Sequence, residues 1–415
     1  MDRREAAGVK VALIIQHVRS RPWLSATAVL ERLREAAGGH QPGENRAHLE
    51  AALSWLCKAQ DCAGGGFARG YSLYWHPYFG ARGWQPAYPE TTGYIIPTMY
   101  LAADQLGNTE LLERAEQAAK WKMGVQLPSG AVQGGVIGEP ISPAVFNTGQ
   151  ALLGWLTALE RTRDARFADA ARRAGRFLVE MLGDDGFWRE GHSRFAMPGK
   201  ALYNAQTAWA LAETGTRLGE PDFVSAARHH LQSVVELQHP DGWLPECCLN
   251  DPVRPLLHTL AYAVRGLLEG GNLLRDERVL DGAHRAAASL ARRVREDGFM
   301  AGRFAAGWVP AATWSCLTGQ AQMANVWMRL WHLTGDRAWL EPVPRVISFL
   351  KRTQNRTAGD PGLRGGIKGS APVSGDYGRY EVLSWATKYF ADALIRAERL
   401  QADPAAAASL DIVLA

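Results

Sequence analysis

Three consecutive stretches decide the fold: NTELLERAEQAAKWKMGVQ (108–126), LPSGAVQGGVIGEPIS (127–142) and PAVFNTGQALLGWLTALE (143–160). The first has apolar residues at helical spacing along one stripe, Asn108 suited to the N-cap, and Glu110 in its first turn. One face stays wet, as on a helix covering the outside of something. The third is nearly uncharged until its last turn, and a helix apolar almost all round is buried on most sides. A long Gly-rich link joins them.

The same alternation runs along the chain. Charged, amphipathic segments begin near Asn45, Asn108, Asp164, Glu220, Asp276 and Asp336. Nearly uncharged ones begin near Glu90, Pro143, Tyr203, Leu256, Thr318 and Glu381. Links from the second class to the next of the first are short, such as LGNTE or RTRDAR. Links from the first to the second are long and rich in Gly and Trp, such as GDDGFWREGHSRFAMPGKAL (183–202) and NRTAGDPGLRGGIKGSAPVSGDYGRY (355–380). Antiparallel hairpins place every short link at one end and every long link at the other. Long links in a compact domain are usually functional, so the working face is the long-link end. The predicted architecture is all-α: an (α/α)6 toroid of six helical hairpins closed into a ring over 46–398. An extra N-terminal helix occupies 1–45, and 399–415 form a tail.

This ring resembles the (α/α)6 toroids of carbohydrate-active enzymes: six-hairpin glycosidases, polysaccharide lyases and the helical domain of glucuronyl C5-epimerases. More distantly it resembles terpenoid cyclases and protein prenyltransferases, since LQHPDGWLPE (237–246) and LPSGAVQGG (127–135) look like their glutamine–tryptophan repeats. The scaffold hosts unrelated chemistries, so function has to be argued from side chains.

A net charge of +4 with Lys and Arg scattered among acids excludes an extended nucleic-acid surface, and no apolar run is long enough to span a bilayer. The opening MDRREAAGVKVALIIQHV continues into amphipathic helix without a cleavage-site pattern. Five cysteines without a CxxC indicate free thiols in a reducing cytoplasm, with no disulfide framework and no structural metal. No cofactor is expected.

Each inner helix aims its N-terminus, with roughly half a positive charge, at the long-link face, and six such ends favour an anionic ligand. Arg69, Arg82, Arg189, Arg194, Arg254, Arg303, Arg364, Lys368 and Arg379 on the long links add to this. Aromatics there, with Trp75, Trp84, Trp314, Tyr377 and Tyr380 among them and Tyr94 just inside the first inner helix, suit sugar stacking or a carbocation. Glu90 opens an inner helix, Glu246 precedes His258, and Glu381 follows Tyr380. His192, Tyr203 and Asn204 lead into the third inner helix, and Asn147 has the equivalent place in the second. Glycoside hydrolysis needs two carboxylates, which Glu90 with Glu246, Asp251 or Glu381 could supply. A uronate lyase or epimerase instead needs a carboxylate neutraliser (Asn147, Arg379 or Lys368) and a base (His258, His192, Tyr377 or Tyr380).

The sequence therefore predicts a glycan-active enzyme, hydrolase or uronate lyase/epimerase, acting on an acidic saccharide. Glu90, Glu246, His258, Tyr380 and Glu381 are its catalytic candidates. Trp75, Trp84, Tyr94, Asn147, His192, Tyr203, Asn204, Arg303, Trp314, Lys368, Tyr377 and Arg379 are its binding candidates. The alternatives are a cyclase- or prenyltransferase-like enzyme, for which the DxDD motif is missing, and a non-catalytic glycan-binding protein of polysaccharide biosynthesis.

Overall fold

The computed structural model describes residue 18 and residues 20–402, so what was expected of 1–17 and of the tail beyond 402 lies outside the described residues. A short helix α1 (Ala26–Ala36) precedes the ring. The outer helices are α2 (Asn45–Asp61), α4 (Thr109–Gly124), α6 (Ala165–Glu180), α8 (Pro221–Leu237), α10 (Glu277–Ala291) and α12 (Val343–Thr353). The inner helices are α3 (Pro89–Leu106), α5 (Val145–Thr162), α7 (Ala205–Leu218), α9 (Leu257–Leu274), α11 (Leu317–Thr334) and α13 (Ser384–Ala402). Each inner helix packs on the next, and α13 packs on α3, which closes the (α/α)6 toroid.

The small residues of the inner helices set this packing. A Cβ on Gly93 of α3 would lie 2.5 Å from the Gln150 carbonyl of α5, and one on Gly154 would lie 2.4 Å from the Gly93 carbonyl. Only backbones stripped of side chains approach so closely, so alanine at either position would force α3 and α5 apart. At the short-link end, α3, α5, α7, α9 and α11 each stop at a left-handed residue: Gly107, Arg163, Gly219, Arg275 and Gly335. Such a residue reverses the chain at once. The next outer helix is then capped by Asn108, Asp164 or Asp276, whose side chains accept from Leu111, Arg166 and Val279 N–H.

The glutamines that close the outer helices staple neighbouring hairpins. Gln126 Nε2 donates to Gly130 O at 2.8 Å in its own turn and to Ala170 O of α6 at 2.9 Å. Gln238 repeats this with Gly242 and with Gly282 of α10, both at 2.9 Å. Gln60 reaches Gly65 and Arg114, and Gln354 reaches Gly365 and His48, across the seam of the ring. This is the physical content of the glutamine-containing repeat.

Two elements depart from the sequence reading. The segment 336–354 is not one helix: a 3-10 turn at Arg337–Leu340 stops before Pro342, and α12 restarts after it, because proline cannot donate into a continuing helix. The long links also carry short strands. β1 (Gly70–His76) pairs antiparallel with β2 (Ala81–Trp84) and with β3 (Glu381–Leu383), joining the first link to the last. Glu381 thus lies on a strand, ahead of α13. Among the described residues no helix is long and apolar enough to cross a membrane.

Candidate functional site

The long links are pinned to the inner helices by a repeated threonine. Thr92, Thr148 and Thr387, in the first turns of α3, α5 and α13, accept the N–H of Phe67, Val132 and Ile367, each at 2.9 Å. The N-caps of α3, α5, α7, α9 and α11 make no side-chain cap, unlike those of α4, α6 and α10.

At this end a cavity of about 90 Å³ opens to solvent between the helix starts, lined by Arg69, Tyr88, Glu90, Phe146, Asn147, Tyr203, His258, Tyr262, Tyr377 and Trp385, among others. Five inner helices contribute from their first turns or the residues just before them.

Glu90 is the one carboxylate among the lining residues. Its Oε2 accepts from the Tyr88 hydroxyl at 2.6 Å. Burial raises its pKa to about 7, against the opposing pull of the Tyr88 hydrogen bond, Lys122 and Arg69. It can therefore give or take a proton near neutrality. His258 is 5 % exposed, and its Nδ1 lies 2.8 Å from Gln322 Oε1. An amide oxygen only accepts, so in this arrangement Nδ1 carries the proton and Nε2 keeps its lone pair. Burial lowers the imidazole to about 4, and the ring is neutral at pH 7.

Arg69 is the cation of the cavity. Its Nη1 donates to Gln85 Oε1 at 2.7 Å and to Glu381 Oε1 at 2.9 Å, while buried Nε has no protein acceptor. The guanidinium carbon lies 5.1–5.5 Å from the rings of Trp385, Phe79 and Phe195. Glu381 and this aromatic collar together hold the cation at the cavity wall. Tyr377, whose hydroxyl accepts from Trp385 Nε1 at 2.7 Å, and Phe146, stacked edge-on with Tyr203 and Tyr262, complete the walls.

Five residues anticipated from sequence come together here: Glu90, Asn147, Tyr203, His258 and Tyr377. Tyr94 lies beneath them, its ring 5.8 Å from that of Tyr389, with its hydroxyl pKa pushed well up by burial. The others sit elsewhere. Glu381 is 3 % exposed behind Arg69, and Tyr380 stacks on Tyr74 at 5.8 Å. Arg379 lies over the Tyr380 ring, and Trp75 lies on β1. Glu246 Oε2 accepts from Lys200 N at 3.2 Å, His192 Nε2 lies 3.0 Å from Arg189 O, and Asn204 Oδ1 accepts from Thr207. Arg303 donates to Arg254 O and Asn250, Trp314 fills the space beside Gly302, and Trp84 packs on Trp55. Lys368 is 1 % exposed, paired with Glu31 and, at 2.7 Å, with Glu35 of α1. Cys247 is buried with its thiol on Thr259 O at 3.3 Å.

In the sequence Arg69 is one of nine loop cations and Tyr88 one of many loop aromatics, and Phe146, Tyr262 and Trp385 do not stand out. Helical spacing held a signal for one of them: Tyr262 is four residues after His258 and so faces the same way.

No family pattern matches the sequence, and comparison with characterised proteins gives no match. Solved structures do match the fold. An unsaturated glucuronyl hydrolase specific for heparin superposes with a TM-score of 0.68 at 14% identity, over 86% of this chain and 98% of that one. An unsaturated glucuronyl hydrolase from Bacillus sp. GL1 gives 0.65 at 15% identity, over 86% and 97%. The cellobiose 2-epimerase of Bacillus thermoamylovorans gives 0.63 at 12% identity, over 89% and 99%. At these identities the likeness establishes the (α/α)6 toroid.

Proposed function

We propose that the protein is a glycan-active enzyme that takes one carboxylate-bearing sugar residue into this cavity and works on it with Glu90 as the acid/base. The observation that carries the reading is the pairing of a single proton-exchanging carboxyl with Arg69. Ordinary glycoside hydrolysis by two flanking carboxylates loses its partner for Glu90, because Glu381 is committed to Arg69 and Gln85 and Glu246 to a backbone amide.

Hydrolysis of an unsaturated uronyl residue makes a smaller demand. Hydration of a double bond conjugated to a carboxylate requires a proton delivered to carbon and a water deprotonated. One carboxyl with a pKa near 7 can do both in turn. Arg69 would hold the sugar carboxylate, Asn147 and Tyr203 would bond hydroxyls, and Trp385 would offer its face to the ring. The unsaturated glucuronyl hydrolases among the structural neighbours support this choice.

A second reading, epimerisation or isomerisation beside a carbonyl, is favoured by His258, whose Nε2 is a neutral base or hydrogen-bond acceptor at the same cavity. A cellobiose 2-epimerase and a D-mannose isomerase share the fold.

The deciding experiment incubates the protein with unsaturated uronyl disaccharides and follows loss of the ultraviolet absorbance of the conjugated double bond. A parallel panel of saturated reducing sugars in heavy water is read by mass spectrometry. Bleaching that Glu90→Gln abolishes supports the first reading. Deuterium incorporated into intact sugars supports the second. Neither signal from the wild type removes both.

A further inference from the structure

The N-terminal helix α1 is amphipathic in the reverse sense for a helix packed on a protein. Its inward side carries Ala28, Glu31 and Glu35. Glu31 is 1 % exposed and is taken up by Lys368, Asn355 and Arg34. Its outward side is apolar: Leu30 is 63% exposed and Leu33 61%, and the turn before the helix adds Trp23 at 65% and Leu24 at 59%. Of the eleven exposed large hydrophobics among the described residues, Val18, Trp23, Leu24, Val29, Leu30 and Leu33 fall in this one short segment. Scattered exposed apolar residues need no explanation, but a cluster marks an interaction surface.

The charges around the cluster identify its partner. At about 100° per residue, Ala26, Leu30 and Leu33 share the crest opposite Glu31 and Glu35, while Arg34, 3.7 Å from Glu31, falls on one flank and Arg32, which donates to Ser374 Oγ, lies on the other and nearer the inward side. Both arginines are exposed, and the Arg21 guanidinium lies 5.3 Å from the Trp23 ring centre. The two helix acids are turned inward, to Lys368. The outward face is therefore Trp and Leu bordered by arginine, with no acid on it.

A second copy of the chain would set these arginines against their own kind. An anionic lipid surface meets both requirements: the crest enters the boundary between headgroups and acyl chains, and the arginines reach phosphates beside it. We propose that α1 and the preceding turn dock the protein on an anionic membrane surface.

The placement is at the cavity end of the toroid. Ser25 Oγ bonds Leu73 O of β1, Thr27 Oγ1 accepts from Arg82 at 2.7 Å, and Glu35 accepts from Val373 N at 2.6 Å. The surface that would touch lipid thus belongs to the same group of loops that wall the site.

The test is co-sedimentation of the full chain with phosphatidylcholine vesicles, with and without phosphatidylglycerol. The expected result is binding to the anionic vesicles only, weakened by salt, and reduced roughly tenfold or more by Leu33→Glu or Leu30→Glu. Both positions are exposed, so unchanged melting curves will show that the variants fold. Failure to bind anionic vesicles overturns the proposal, as does equal binding by Leu30→Glu/Leu33→Glu. A concentration-dependent dimer in light scattering, abolished by Leu33→Glu and unaccompanied by vesicle binding, overturns it in favour of a second copy.

Discussion

Arg69 and Glu381 join the first long link to the last through a 2.9 Å ion pair, and the same carboxylate oxygen lies 3.5 Å from His76 Nε2. The pair is nearly closed to solvent, with side-chain exposures of 14% and 4%. Glu381 fixes the guanidinium from behind, so that Arg69 meets the cavity in one orientation. Removing one partner of such a pair costs about 3–5 kcal/mol, and Glu381→Ala is expected to lower the melting temperature as well as turnover. Arg69→Lys keeps the charge and loses the fork. With the proposed substrates it should raise KM roughly tenfold or more for a sugar acid and leave the neutral, carboxyl-reduced analogue unaffected. Equal effects on both would remove Arg69 as the carboxylate's partner.

Glu90 makes two pH predictions that share one cause. Its pKa of about 7 in the folded chain stands above the 4.5 of the free group. Between those values the unfolded chain has already released a proton that the folded chain retains, so stability falls as pH rises through this window and is level above it. Replacing the carboxyl by an amide removes the dependence. The stability of Glu90→Gln relative to wild type should therefore improve from pH 4 to pH 8, by about 3 kcal/mol at most. Denaturant titrations at the two pH values read this directly. The rate of a reaction begun by the protonated acid should decline above pH 7; a flat profile there would mean that another group delivers the proton.

The ring was legible because hydrophobic period, link length and capping residues all point the same way, from Asn108 and its counterparts to the uncharged run around Gly149. The site was only half legible. Glu90, Asn147 and His258 were visible because a polar residue at the start of an apolar helix stands out. Arg69 did not stand out, since its selection depends on a strand pairing between residues 70–72 and 381–383, which is a contact across most of the chain. Lys368 looked like a ligand because the sequence of a loop does not show that α1 will bring Glu31 and Glu35 over it.

That arrangement makes Lys368 a structural test. Lys368→Met removes the cation that Glu31 and Glu35 share and leaves Glu31 only Arg34, 3.7 Å away on the exposed side, at a cost of about 3–5 kcal/mol. Adding Glu31→Gln should recover part of the loss, because the more deeply buried of the two carboxylates then carries no charge. The same link carries Tyr377, so ligand binding in the cavity should weaken in Lys368→Met and return in the double variant. Unchanged melting of the single variant would show that the two acids find other partners.

The staple glutamines offer the sharpest test of the repeat. Gln126 uses both halves of its amide: Nε2 serves the carbonyls of Gly130 and Ala170, and Oε1 accepts from Arg173 of α6. Gln126→Leu strands the two buried carbonyls, while exposed Arg173 turns to water, and at about 1–3 kcal/mol for each buried group left unsatisfied the loss should exceed that of an ordinary surface change. Gln126→Glu is the more informative variant. It keeps the acceptor and strengthens the attraction to Arg173, but a carboxylate has no proton for either carbonyl and sets a negative charge against both. If the donor half matters most, Gln126→Glu will be as unstable as Gln126→Leu in urea titrations at pH 7. If the glutamate variant instead matches wild type, the link to Arg173 is what holds these two hairpins together.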